Sequence, residues 1–323
     1  MKSLRIVSFA SQNPLRQAEL KDALSEHGED VEISFAATED EACELIKGAN
    51  VLLAHRFTEK LFQAAPYLKW VHLSSAGVER SLFKEFVDSD VTLTNSRGMH
   101  ARPMAEWVMA GLHYWSQQFQ FAEEWRRTRE WKEPKKHMTE SRKVLYGMSA
   151  LVVGYGEVGR GIADVLKANG LAVEAVATRS RSDIVDVYPM EQLEERLMEA
   201  DIVVIALPAT PKTIGLFNRR IFPLMKQGSI FVNVARGSIV DETDLIAGLK
   251  TDKPGYAILD VFAEEPLPDN SELFDLQNVF MTPHVSGNFP EYTQRVHDIF
   301  IENVVRYSND RPLLFEVDKK RGY

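Results

Sequence analysis

The chain has 323 residues, enough for two domains that each bury a core of their own, and its 26% charged and 45% hydrophobic residues are those of an ordinary globular protein. Thirty-eight Lys and Arg against 47 Asp and Glu give a net charge of −9, which argues against nucleic acid or an anionic membrane as partner but leaves room for a small anion at a local basic site. The single cysteine, Cys43, excludes an internal disulfide and a thiolate metal cluster and fits the reducing cytoplasm; no metal site is expected.

Lys2 and Arg5 precede an apolar run of only Ile6 and Val7, so the N-terminus reads as a first strand and not as a signal peptide. Over the first hundred residues, short β-branched runs ("LRIVSF", "VEISFA", "VLLAH", "KWVHLSS", "VTLTN") alternate with helical patterns near residues 13–26, through Leu45 and around Leu61. That alternation predicts parallel strands joined by crossover helices. In "RPMAEWVMAGLHYW", Pro103 near the start and apolar Met104, Trp107, Val108, Leu112 and Trp115 predict a helix that connects two lobes.

Residues 116–145 break the rhythm. They are rich in charge yet carry Trp125 and Trp131, and are read as an arm packed on a partner subunit. The alternation resumes with "SALVVG", "LAVEAVA", "DIVVIAL", "SIFVNVA", "YAILDV" and "NVFMTP", six runs that predict a doubly wound nucleotide-binding sheet. No apolar run approaches the ~20 residues that a membrane crossing needs. A last helical stretch, Pro290 to Tyr307, leads to "RPLLFEVDKKRGY", which returns to the first lobe.

Four motifs carry chemistry. "VVGYGEVGRGIADVLKANG" sets Gly154, Gly156 and Gly159 between a strand and a helix, a spacing that turns the chain tightly and aims a helix N-terminus at a pyrophosphate. "FVNVARGSIVDE" places Arg236 just past a strand end, "LDVFAEEP" places Asp260, Glu264 and Glu265 past the next, and "MTPHVSG" places His284 past the last. Ligands of open parallel sheets bind at such ends. Taken singly, the arginine reads as a surface ion pair, the carboxylates as a solvated turn and the histidine as structural.

In this order the motifs resemble the D-isomer-specific 2-hydroxyacid dehydrogenase family, and among its members most the glyoxylate and hydroxypyruvate reductases. The likeness runs from "WVHLSSAGVE" through "TNSRG" and "PMAEW" to "VDKKRGY". It implies a Rossmann cofactor domain over 99–289, with a dimerisation arm at 117–143, and a discontinuous, flavodoxin-like α/β substrate domain over 1–98 and 290–323. It further implies that Arg236 grips the carboxylate of a small 2-oxo acid and polarises its keto oxygen, that His284 gives that oxygen a proton, and that Glu265, directly before Pro266, holds the imidazole and favours its charged form. Backbone amides of Ser75, Ala76 and Gly77 would hold the carboxylate from the other lobe. Gly154, Tyr155, Gly156, Glu157, Val158 and Gly159, with Leu207, Pro208, Ala235 and Asp260, would line the cofactor, Asp260 near the nicotinamide amide. A formate dehydrogenase of this fold pairs its histidine with an amide side chain; Glu265 argues against that reading.

The cofactor itself is read from "AVATRSRSD". The second strand of such a sheet ends at the adenosine ribose, where NAD enzymes keep a carboxylate. Here that position is Ala177, followed by Thr178, Arg179 and Arg181, which suit a 2′-phosphate. Glu174, three residues earlier, faces packing on this reading. The sequence therefore points to a homodimeric, cytoplasmic, NADP-preferring reductase of small 2-oxo acids to D-2-hydroxy acids, with NAD the second choice. An NAD-linked D-lactate or phosphoglycerate dehydrogenase and a nicotinamide-sensing corepressor are the alternatives, and the side chains that choose the acid, among them His55, Arg56, Met99, His100 and Phe289, are not ranked.

Overall fold

A computed structural model describes residues 4–27 and 30–322. In chain order its elements are β1 (Leu4–Phe9), α1 (Pro14–Ser25), β2 (Val31–Phe35), α2 (Glu39–Leu45), β3 (Val51–Ala54), α3 (Glu59–Gln63), β4 (Trp70–Leu73), α4 (Lys84–Val87), β5 (Thr92–Asn95), α5 (Ala101–Ser116), α6 (Phe119–Thr128), α7 (Lys132–Glu140), β6 (Ser149–Val153), α8 (Glu157–Ala168), β7 (Ala172–Ala177), β8 (Arg181–Ser182), β9 (Asp186–Pro189), α9 (Leu193–Leu197), β10 (Ile202–Ile205), β11 (Ile230–Asn233), α10 (Glu242–Lys250), β12 (Tyr256–Leu259), β13 (Val279–Met281) and α11 (Tyr292–Ser308). The chain divides into two compact units, residues 1–99 with 289–323, and residues 100–288.

Among the described residues the first unit holds a parallel sheet ordered β2-β1-β3-β4-β5, the flavodoxin-like winding. Helices α1, α2 and α3 start on side-chain caps that follow from sequence: Asn13 before Pro14, Thr38 before Glu39 and Thr58 before Glu59. Strand β3 is buried on both faces, Val51 and Leu53 packing to one side and Leu52 and Ala54 to the other. Trp70 of β4 stacks on Phe300 and Tyr307 of α11, so the returning segment completes this core. Beyond it, the Val317 N–H donates to Leu93 O at 2.8 Å. The Lys319 ammonium then donates to the carbonyls of Phe86, Ser89 and Val91 at 2.7–2.9 Å.

The second unit holds a sheet ordered β13-β12-β11-β10-β6-β7-β9-β8. The order reverses between β6 and β10, which makes the carboxyl ends of those strands the switch point where ligands of such sheets bind. Strands β10, β11 and β12 are buried at every residue, as a sheet covered on both faces requires. The sheet is larger than the six-stranded expectation: β8 and β9 extend it past β7, β8 running antiparallel. The arm is helical, α6 and α7 forming a hairpin after α5. Phe121 stacks on His137 at 4.6 Å, and Trp125 meets Trp131 edge to face at 5.3 Å.

Candidate active site

The glycine loop closes β6 onto α8. Gly154 has φ +101°, and a Cβ there would lie 2.5 Å from the Ala206 carbonyl oxygen; a Cβ on Gly159 would lie 1.9 Å from that of Gly154. Both glycines are thus demanded by backbone approach. Gly156, the N-cap of α8, has no atom within 4 Å of its Cβ position. That open space lies beside the first N–H groups of a 12-residue helix, which lack partners within it. A pyrophosphate fits that cradle. Glu157 and Val158 form the helix's first turn, Tyr155 is buried beneath the loop, and Leu207 and Pro208 follow β10 at the switch point.

Past β7, Thr178 and Arg179 are exposed. Arg181 is held differently from the phosphate-reading role expected of it: its Nη2 donates to Tyr155 O at 2.7 Å and its guanidinium lies 5.0 Å from the Tyr155 ring centroid. Arg160 of α8 pairs with Asp183 at 2.9 Å, a second tie between this loop and the glycine loop's helix. Glu174 is engaged by Arg196 at 3.6 Å and by the Tyr188 hydroxyl at 3.5 Å.

At the ends of β11, β12 and β13 the same unit gathers Arg236, Glu265 and the histidine loop. The Glu265 Oε2 meets His284 Nδ1 at 2.9 Å, with the glutamate side chain 22% and the imidazole 50% exposed. Glu265 Oε1 accepts the Phe262 N–H at 3.1 Å, so the carboxylate is anchored on one side and presented on the other. Glu264, its neighbour, is exposed. Arg236 is half-buried, its Nη1 donating to Ala235 O at 2.7 Å while Asn233 Nδ2 donates to its carbonyl. Its charge, second to burial, helps push His100 down to about 4.

Asp260 shows a role that the motif did not disclose. Fully buried, it accepts from Thr282 Oγ1 and the Val285 N–H on Oδ1 and from the Ser286 N–H on Oδ2, while its carbonyl takes the His284 N–H at 2.8 Å. His284 sits at φ +53°, a left-handed conformation that costs an ordinary residue roughly 1–2 kcal/mol. The aspartate thus ties down both flanks of a strained turn and fixes where the imidazole starts.

In the first unit, the turn after β4 has its carbonyls all engaged. Ser74 O accepts from Tyr292 Oη at 2.8 Å, Ser75 O from the Ser96 N–H, Ala76 O from Asn95 Nδ2 and Gly77 O from Ser75 Oγ. Among the described residues no acceptor meets the N–H groups of Ser75, Ala76 and Gly77. Consecutive donors without acceptors, on residues that are only partly covered, are free to meet an anion. Below it the buried His72 bonds Thr94 Oγ1 at 2.7 Å and Ser96 Oγ at 3.0 Å.

Comparison with known proteins agrees with this chemistry. Residues 109–286 match the family model "D-isomer specific 2-hydroxyacid dehydrogenase, NAD binding domain". A glyoxylate reductase of Pyrococcus furiosus is 30% identical over 79% of this chain and 77% of its own length. A D-3-phosphoglycerate dehydrogenase of Methanocaldococcus jannaschii is 28% identical over 93% of this chain, which spans only 57% of that longer relative. The crystal structure of an NADPH-dependent glyoxylate/hydroxypyruvate reductase from Sinorhizobium meliloti, in complex with NADP and sulfate, superposes with a TM-score of 0.85 at 26% identity, covering 99% of this chain and 100% of that one.

Proposed function

The chain belongs to the D-isomer-specific 2-hydroxyacid dehydrogenase family of NAD(P)-dependent oxidoreductases, and from that premise we propose that it reduces small 2-oxo acids, glyoxylate or hydroxypyruvate, to D-2-hydroxy acids with NADPH. The observation that carries this reading is the His284–Glu265 pair, set in the same unit as Arg236 and the glycine loop. The nicotinamide cofactor supplies the hydride. His284 supplies the proton that the keto oxygen needs, Glu265 keeps the imidazole oriented, and Arg236 binds the substrate's negative oxygens through a planar fork. The amides of Ser75, Ala76 and Gly77 provide further donors for a carboxylate. Gly154–Gly159, Leu207, Pro208 and Ala235 cradle the dinucleotide. A panel of 2-oxo acids assayed with NADPH and NADH tests the reading; it includes phosphohydroxypyruvate, because the phosphoglycerate dehydrogenase relatives make that acid the second candidate.

The preference for NADPH rests on the end of β7. Ala177 offers the ribose no carboxylate, and Glu174 is held by Arg196 and Tyr188. Thr178 and Arg179 are the exposed groups left for a 2′-phosphate, with Arg181 bracing the loop. A hydrogen bond to a charged group contributes about 1.5–3 kcal/mol, so one Arg179–phosphate contact favours NADPH by about 10- to 150-fold. Arg179→Ala is expected to erode that ratio through KM for NADPH. Equal use of NADH by the unaltered enzyme would mean that Arg179 faces only solvent.

Assembly as a homodimer is proposed from the arm. Trp125 and Trp131 are 44% and 60% exposed, and with Phe119, Pro134 and Met138 they line a groove of about 580 Å³. Surface of this kind is costly to leave wet, and a second copy would cover it. Light scattering at micromolar concentration is expected to give twice the chain mass, and a monomer would refute the assignment. No helix among the described residues is long and apolar enough to cross a membrane. With one buried cysteine, the protein suits the cytoplasm.

A further inference from the structure

Arg236 and Glu265 stand on different loops, one after β11 and one after β12, and their spacing is a condition of the chemistry proposed above. Two contacts fasten these loops together. A Cβ on Gly237 would lie 1.8 Å from the Phe262 carbonyl carbon, so the residue after Arg236 lies backbone to backbone against the loop that carries Glu265. Further along, Glu242 opens α10, and its carboxylate accepts the N–H of Ala263. The preceding N–H, that of Phe262, is taken by Glu265 itself, whose other oxygen meets His284.

The helix that carries Glu242 is itself fixed. The Asp241 side chain caps it by accepting the Asp244 N–H at 3.1 Å, and Asp244 accepts the Arg219 N–H at 2.7 Å. Glu242 is half-buried, and burial lifts its carboxyl above the ordinary glutamate range, with the Asp241 and Glu265 charges adding to the rise and the Ala263 N–H opposing it. A half-buried carboxylate beside two others is a costly way to fill space. What it gains is one hydrogen bond to the loop of the supporting glutamate.

We infer that Glu242 is a positioning residue of the reaction: by holding Ala263 it sets the Glu265 loop, and through it the His284 imidazole, at a fixed place relative to Arg236. The inference rests on the roles proposed for those three residues. Displacement of a reacting group by an ångström can cost about 100-fold, so a loosened loop is read in turnover. The glycine loop and the end of β7, which are proposed to hold the pyrophosphate and the adenosine, lie at other loops, so the binding of NADPH is the internal control.

The experiment compares Glu242→Ala, Glu242→Asp and Glu242→Gln with His284→Asn, using NADPH and the fastest acid of the panel. Glu242→Ala is expected to lower kcat about tenfold or more with KM for NADPH changed by less than about twofold. Glu242→Gln keeps an acceptor oxygen at the same reach and is expected to recover most of that loss. Glu242→Asp keeps the charge but shortens the reach, and shares the fall in kcat, which covers the case in which the alanine variant does not fold. Full turnover in the Ala or Asp variant, or a Gln variant as slow as Ala, would overturn the inference. An active His284→Asn enzyme would instead overturn the assignment of the trio, so the two failures are distinct.

Discussion

Replacement of His284 by Asn is expected to cut the turnover of 2-oxo acids by about 10²- to 10⁴-fold while NADPH binds as before, since general acid catalysis contributes on that scale. Asparagine suits the test for a structural reason. It tolerates the left-handed backbone better than most residues, and His284 sits at φ +53°. Asp260 grips that turn through N–H groups of the main chain and Thr282, not through the imidazole, so the variant keeps the turn and loses only the proton donor. Retention of more than about half the original turnover would be incompatible with the role. Glu265→Gln is the companion variant. It keeps the shape of the partner at 2.9 Å but replaces the carboxylate that holds the imidazole by an amide, so turnover is expected to fall while KM for NADPH stays as it was. Unchanged turnover would show that Glu265 does not support the histidine.

Acid is expected to unfold the first unit by way of His72. Burial pushes this imidazole from 6.5 to about 3, so the native state keeps it neutral while the unfolded chain protonates it. The sign follows: below pH 6.5 the unfolded state binds the extra proton, and stability present above that pH is lost progressively until about pH 3. At about 1.36 kcal/mol per unit of difference, the loss reaches about 2 kcal/mol at pH 5 and about 5 kcal/mol at pH 3. Domains are stable by roughly 5–15 kcal/mol, so one side chain takes a large share. His297 of α11, also lowered by burial, acts in the same sense. Urea titrations at about pH 7.5 and about pH 5 measure the difference directly, and coincident midpoints would mean that His72 is hydrated or protonated in the native state.

What could be seen in the sequence was what local chemistry writes there. The parallel strands announce themselves because a strand buried on both faces must be apolar throughout, as "IVVI" and "IFVN" are, and the glycine loop because backbone contacts leave no alternative to glycine at 154 and 159. The arm's helices were not read from the sequence: Phe121, Ala122 and Trp125 share one face of α6, but that helix is short, charged and buries none of its residues, so its stripe is brief and sits in a stretch that reads as an excursion. Strands β8 and β9 are two and four residues long and exposed in part, too short for a period to register. The turn that carries the Ser75–Gly77 amides is held by partners such as Tyr292, 218 residues away from Ser74, and no local pattern foretells such a bond. Arg181 and Asp260 had the right residue type for a ligand contact; that the first braces Tyr155 and the second a turn is a matter of where atoms point, which spacing does not encode.

The chain order of the two units has a consequence for synthesis on the ribosome. Residues 100–288 form an uninterrupted unit, able to close its sheet as soon as they have emerged. The first unit emerges earlier yet waits longest. Its β4 lacks the stacking of Phe300 and Tyr307, its Ser74 carbonyl lacks the Tyr292 hydroxyl, and the carbonyls of Phe86, Ser89 and Val91 lack the Lys319 ammonium until residues 292–319 have followed the second unit out. A nascent chain can therefore complete its nucleotide cradle before the turn that carries Ser75, Ala76 and Gly77 has all its supports, and the half-built first sheet is the stretch left exposed in the meantime.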